Sequence, residues 1–208
     1  MLSKLHYISQ GATPTQHLEH IQKACVSGIE LVQLRLKNVS EDVVLETAKL
    51  AREITSKHNV SLIINDHYKI AAQVEADGVH LGKSDTCPLI AKAALASWQI
   101  IGGTANTLED CQTLINKNVD YIGLGPYRFT KTKTKLSPIL GRQGYETLIK
   151  QLQTKTPIVA IGGIVLKDVS EIIKTGVYGI AVSGQITKDF NAIPKLNELI
   201  NSAYSNAL

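Results

Sequence analysis

Short apolar runs of four to six residues recur along the chain and alternate with longer amphipathic segments. The pattern predicts strands starting near Lys4, Leu31, Ser61, Gly78, Ile100, Tyr121, Ile158 and Gly179, at intervals of 27, 30, 17, 22, 21, 37 and 21 residues. Such intervals suit a repeating unit of one strand, one helix and two short loops. Leu62-Ile63-Ile64, Tyr121-Ile122-Gly123-Leu124 and Ile158-Val159-Ala160-Ile161 are apolar throughout rather than alternating. Strands covered on both faces of a parallel sheet read this way. Eight such units predict an α/β fold, a compact (β/α)₈ TIM barrel forming one domain over 1–208. A doubly wound open sheet is the alternative, and it is disfavoured because no GxGxxG follows the first strand.

Helix signals fall between the runs. Thr13-Pro14-Thr15-Gln16 offers an N-cap, a proline at the first helical position and a glutamine for a capping box. Ser40-Glu41-Asp42 caps the next helix with acid in its first turn. There Val44, Ala48, Ala51 and Thr55, flanked by Val43, Leu50 and Ile54, predict one broad buried face. Thr107-Leu108-Glu109-Asp110 opens another helix. Gly28 and Gly176 sit where C-terminal capping glycines belong. The long 37-residue interval holds Gly125 to Gly144, a polar stretch expected to form a functional lid.

Composition narrows the class. The 208 residues are 44% hydrophobic and 19% charged, which excludes a disordered, collagenous or fibrous chain. No apolar run approaches the roughly 18 residues that span a bilayer. Met1 to Tyr7 lacks the apolar core of a signal peptide, so a cytoplasmic protein without membrane association is expected. Cys25, Cys87 and Cys111 are odd in number and widely spaced, without a CxxC pair; they read as reduced, buried or half-buried thiols. A net charge of +4 and 5% aromatic residues do not point to nucleic acid. Small anionic ligands fit better, and a homo-oligomer stays open.

In such barrels chemistry gathers at the C-terminal ends of the strands. Gln33, Arg35 and Lys37 alternate after the second strand begins, so they share one side. Their neighbours Val32, Leu34 and Leu36 are apolar and suit the helix side, which turns the three polar groups toward the barrel mouth rather than outward as a solvated stripe. Asn65-Asp66 ends the third strand and Asp85 follows the fourth. Either aspartate alone reads as a turn or an N-cap residue; together, beside a cationic strand, they are hard oxygen ligands for Mg²⁺. Thr130, Thr132 and Lys133 interleave hydroxyls with cations in the long loop, a donor set for a highly charged phosphate. Gly162-Gly163 and Ser183-Gly184 follow the seventh and eighth strands, the frequent phosphate site of this architecture. Two anion sites result, a monophosphate cradle and a metal-assisted site for a larger anion. They suit two phosphorylated substrates, one losing pyrophosphate. The charge excess is expected to concentrate there through Arg35, Lys37, Arg128 and Lys133.

These residues resemble the thiamine phosphate synthase family. The likeness runs in order through Gln33-Leu34-Arg35-Leu36-Lys37, Ile64-Asn65-Asp66, Ala76 to Gly82 with Asp85, Gly123-Leu124-Gly125-Pro126 with Thr130, Thr132 and Lys133, Ala160 to Ile164, and Ala181-Val182-Ser183. It implies joining 4-amino-5-hydroxymethyl-2-methylpyrimidine pyrophosphate to 4-methyl-5-(2-hydroxyethyl)thiazole phosphate, or its carboxylated form, in a dissociative reaction. By resemblance, Gln33, Arg35, Lys37, Asn65, Thr130, Thr132 and Lys133 handle the pyrimidine pyrophosphate, with Thr104 near its phosphates. Asp66 and Asp85 hold Mg²⁺, and Gly162, Val182 and Ser183 hold the thiazole phosphate, beside Gly163 and Gly184 of the cradle read above. Lys133, Arg35 and Thr104 are the expected catalytic groups, and His80 is expected to bond within the barrel rather than to act as a base.

Departures from the family pattern are Asn106 where histidine is frequent, Lys83 where glutamine is frequent, Arg128-Phe129 before the loop threonine, and Ser183-Gly184, which resembles the sister thiazole tautomerase as much as the synthase. The rival readings are the sister thiazole tautomerase, an isomerase, and a non-catalytic phosphometabolite-binding barrel. Asn106 stands where the tautomerase has its histidine, and neither rival needs the paired aspartates and Lys133. A phosphosugar isomerase or epimerase would need a general base that the sequence does not offer.

Overall fold

A computed structural model describes residues 2–130 and 137–205. Eight parallel strands close into a barrel in chain order: β1 Leu5–Ile8, β2 Leu31–Leu34, β3 Ser61–Asn65, β4 Gly78–Leu81, β5 Ile100–Ala105, β6 Tyr121–Leu124, β7 Ile158–Ile161 and β8 Gly179–Val182. β1 pairs with β8 as well as β2, with Leu5 opposite Ile180, so no sheet edge remains. The predicted barrel is therefore found and the open sheet is not. Between the strands lie α1 Pro14–Val26, α2 Glu41–Lys57, α3 Tyr68–Gln73, α4 Pro88–Ala94, α5 Leu108–Asn116, α6 Gly141–Leu152 and α7 Val169–Ile173. The chain then forms α8 Gly184–Lys188 and α9 Ala192–Ser205.

Most predicted caps are present. Ser40 accepts from the Val43 amide, and Thr107 and Asp110 form a full capping box on α5. Thr13 caps α1 and accepts from the Gln16 amide. The Gln16 carboxamide reaches the Ala12 amide at 2.8 Å instead of that of Thr13, which moves the expected box one residue upstream. Gly28 and Gly176 take φ of +87° and +93°, the left-handed turn that starts the next strand. The broad face expected of α2 is narrower. Val44, Ala48, Ala51 and Thr55 are buried, but Val43 and Leu50 face solvent. Two alanines on the contact stripe let the helix lie close, and residues flanking so thin a stripe rotate out of contact. Cys25 and Cys111 are buried, Cys87 is half-buried, and none is disulfide-bonded.

The core has two parts. The larger lies between strands and helices and holds Val32, Leu34, Leu62, Ile64, Ile122 and Leu124. The smaller fills the barrel itself around Tyr121, Val159 and Ala181. Polar side chains share that interior: His6, Gln33, Asn65 and His80 are all buried. Strands that read as uniformly apolar thus carry a polar residue at an inward position just below the mouth.

Candidate active site

The C-terminal ends of the strands surround one cavity of ≈ 1120 Å³. Gln33, Arg35 and Lys37 reach it from β2 and the turn beyond, while Val32 and Leu34 lie in the helix-side core, as alternation predicts; Leu36, past the end of β2, is buried in that core and also lines the cavity. Ser9 at the end of β1 supports this strand: its hydroxyl accepts from the Arg35 amide at 3.1 Å and contacts His17 Nδ1 at 2.7 Å. Burial pulls the Arg35 guanidinium down from its ordinary pKa, partly offset by the negative charge of Asp66. A cation denied water in this way has a strong pull on an incoming anion.

Asp66 and Asp85 also line the cavity. Asp66 sits at φ +65°, a conformation that aspartate and asparagine tolerate better than most residues. Its carboxylate pairs with the Lys37 ammonium. Asp85 is not an N-cap. α4 begins after Cys87, and the Asp85 carboxylate instead accepts from the Gly82 amide at 2.6 Å, closing the turn that aims it inward. Burial and the adjacent Asp66 carboxyl push the Asp85 pKa up. A carboxyl whose charge is disfavoured by burial and by a neighbouring carboxyl is a fit for a cation beside it. No group of three or more His, Cys, Asp or Glu residues suited to a metal gathers among the described residues. Two oxygen ligands are what Mg²⁺ takes when substrate phosphates and water complete its shell.

Beside them, Asn65 is buried and its Nδ2 finds no acceptor within the described chain. A buried amide donor without a partner is costly unless a ligand supplies one. Thr104 on β5 and Thr130 beyond β6 complete this half of the wall. Thr132 and Lys133 lie outside the described residues. The polar loop ends at Leu140, since α6 begins at Gly141 and so contains Gly144. Arg128 leaves the cationic cluster expected of it: it does not line the cavity, and its guanidinium pairs with buried Asp168. A carboxylate that is 5% exposed offers a fixed local partner that a solvated ligand site does not. Lys83, at the rim, donates to Asp110 at 2.8 Å. Asn106 is buried and donates to the Gly125 carbonyl.

The opposite wall is the glycine cradle. Gly162 and Gly163 take φ of +90° and +72°. A Cβ on Gly162 would lie 2.7 Å from that of Pro126, and one on Gly163 would lie 2.7 Å from the Phe129 carbonyl oxygen. The residues after β6 therefore press directly on the cradle. Their backbone is tied to it by Tyr127 N–H to the Ile161 carbonyl at 2.8 Å and Arg128 N–H to the Gly162 carbonyl at 3.0 Å. Val182, Ser183 and Gly184 line the cavity beside them, at the end of the neighbouring strand β8, with the Ser183 hydroxyl 3.4 Å from the Gln10 carboxamide oxygen.

Apart from Arg128, every described residue expected at the site reaches this one cavity. Sequence reasoning missed Gln10, Gly11, Thr13 and His17, which close it beside β1, and Lys188 beside β8. The signal for the first set was present: Ser9-Gln10-Gly11 is the polar turn just after an apolar run, the rule that found the other strand ends.

Known proteins share both the sequence and the fold. Residues 5–186 match the family model described as thiamine monophosphate synthase. The thiamine-phosphate synthase of Flavobacterium psychrophilum is 45% identical over 202 residues, covering 96% of this chain and 98% of that one. That of Flavobacterium johnsoniae is 43% identical over 211 residues, covering all of both chains. The structure of thiamine phosphate pyrophosphorylase from Pyrococcus furiosus superposes with a TM-score of 0.80 at 28% identity, covering 96% of each chain.

Proposed function

The chain belongs to the thiamine monophosphate synthase family and its activity is that of a thiamine-phosphate synthase, a transferase; from this premise we propose how its own residues carry the reaction. The substrates are 4-amino-5-hydroxymethyl-2-methylpyrimidine pyrophosphate and 4-methyl-5-(2-hydroxyethyl)thiazole phosphate or its carboxylated form. The observation that carries this reading is one cavity with two differently built anion walls: carboxylates beside cations on one side, a glycine turn on the other.

Gln33, Arg35, Lys37 and the unpartnered amide of Asn65 bind the pyrimidine pyrophosphate, with Thr104, Thr130, Thr132 and Lys133 closing on its phosphates. Asp66 and Asp85 would hold Mg²⁺, which supplies charge neutralisation to the departing pyrophosphate. The methylene C–O bond breaks and pyrophosphate leaves with the electron pair. The pyrimidine methyl cation that remains is stabilised by its own 4-amino group. The thiazole nitrogen donates its lone pair to form the C–N bond, giving thiamine phosphate, with loss of CO₂ where the carboxylated form reacts. Gly162, Gly163, Val182, Ser183 and Gly184 hold the thiazole phosphate so that this nitrogen faces the cation. The protein contributes leaving-group stabilisation and exclusion of water, which would otherwise capture the cation. No nucleophile or general base is required.

Asn106, donating to a backbone carbonyl, has no proton to relay, which supports the synthase reading over the tautomerase. Reduced, buried Cys25 and Cys111 support a cytoplasmic setting. The test is to mix the purified protein with both substrates and Mg²⁺ and follow pyrophosphate. Release that requires both substrates supports the synthase. Isomerisation of a thiazole phosphate without pyrophosphate release supports the tautomerase.

A further inference from the structure

Tyr121, His80 and Thr104 form a line of side chains from the middle of the barrel to the cavity wall. The Tyr121 hydroxyl lies 3.0 Å from His80 Nδ1, and His80 Nε2 lies 2.9 Å from Thr104 Oγ1. The strands are built around this line. A Cβ at Gly102 would come within 2.1 Å of the Tyr121 ring, and one at Gly123 within 3.0 Å of the His80 ring. Both glycines face the barrel interior and clear the space that the two rings fill.

The line has a direction. Burial, with the nearby Asp120 charge, holds the Tyr121 phenol well above its ordinary pKa, so it keeps its proton. His80 Nδ1 is the hydrogen-bond partner seen for that buried hydroxyl. A buried phenol satisfies its hydrogen by donating it, so Nδ1 accepts. A neutral imidazole that accepts at Nδ1 carries its hydrogen at Nε2 and donates to Thr104 Oγ1. The Thr104 hydroxyl hydrogen cannot then point at His80. It is left for the cavity, where an anion can only accept.

We propose that His80, set by Tyr121, is a positioning residue that turns the Thr104 hydroxyl hydrogen into the cavity toward the leaving pyrophosphate. The proposal rests on the reading that Thr104 meets that leaving group. It assigns a task to a histidine and a tyrosine that the reaction itself does not use.

Two measurements test it. The first needs no variant: a long-range proton–nitrogen correlation spectrum of the isotope-labelled full chain. The expected result is a protonated Nε2 and a bare Nδ1 for His80; a hydrogen on Nδ1 overturns the proposal. The second is a kinetic cycle on pyrophosphate release with both substrates and Mg²⁺. Thr104→Val, which keeps the shape and removes the hydroxyl, is expected to lower kcat about 100-fold. Tyr121→Phe is expected to lower it about tenfold, on the scale of an outer hydrogen-bond partner, with KM for the thiazole phosphate within about twofold. The double variant should match Thr104→Val alone, because Tyr121 acts through that hydroxyl. Independent, multiplying losses overturn the positioning role. Unchanged kcat in Thr104→Val overturns the underlying reading of Thr104, and the His80 spectrum, still showing Nε2 protonated, tells that failure from the other.

Discussion

Lys37 and Asp66 form an ion pair across the mouth of the barrel, joining the ends of β2 and β3. Each is also expected to act on the substrate, the lysine on phosphate oxygens and the aspartate on Mg²⁺. Asp66→Asn keeps a side chain that tolerates the φ of +65° and removes the charge. It is expected to lower kcat by about two or more orders of magnitude, the scale of losing a transition-state charge stabiliser, while the circular dichroism spectrum is unchanged. Excess chelator should abolish turnover of the wild-type protein. Full activity in chelator would refute the metal-assisted scheme.

Lys133, which follows β6 in the chain, is expected to meet the leaving group. Lys133→Ala should lower kcat by about 100-fold or more. KM for the thiazole phosphate should stay near the wild-type value, because that substrate belongs to the opposite wall. Steady-state kinetics with each substrate varied in turn separates the two effects. A loss confined to the thiazole KM would place the lysine on the wrong side of the cavity.

Gly163→Ala puts a Cβ at φ +72° and 2.7 Å from the Phe129 carbonyl oxygen. The backbone strain is worth about 1–3 kcal/mol. The melting temperature should fall, and KM for the thiazole phosphate should rise more than KM for the pyrimidine substrate. An equal rise in both would argue against a separate cradle for the monophosphate.

His6 sets an acid limit on stability. It is fully buried beside Tyr121, its Nε2–H donates to the Ser3 carbonyl at 2.9 Å, and its Nδ1 has no partner among the described residues. Burial lowers its pKa from 6.5 to about 4. The unfolded chain therefore takes up a proton below pH 6.5 that the folded chain refuses until about pH 4. Stability present above pH 6.5 is lost as the pH falls through that window, on the order of 3 kcal/mol in all. His6→Gln, titrated by urea unfolding at pH 7 and pH 4.5, should show a smaller acid loss than the wild type. An identical loss in both would remove His6 as its source.

Much of this was legible in the chain because parallel strands covered on both faces leave continuous apolar runs. Seven strands begin at the predicted residue, and β1 begins at Leu5 rather than Lys4. Alternation correctly placed Gln33 on the cavity side of β2; Arg35 and Lys37 also reach the cavity, but from the turn beyond the strand, where Leu36 lines it too. Two of the failures, Arg128 and the Tyr121–His80 contact, depend on partners far apart in the chain. Arg128 looked like a substrate cation until Asp168, 40 residues on, engaged it. His17 is a helix residue in the sequence and becomes a cavity wall only because Ser9 draws it in. The Tyr121–His80 contact spans 41 residues, and nothing in two apolar-looking strands announces it.

The backbone bonds from Tyr127 and Arg128 to Ile161 and Gly162 carry the ladder between β6 and β7 past the ends of the strands. The same short stretch thus lies between Thr130, expected to meet one substrate, and the glycine turn, expected to meet the other. A ligand that restrains either restrains both, so the two substrates should strengthen each other's binding, and by reciprocity to the same degree in either order of addition.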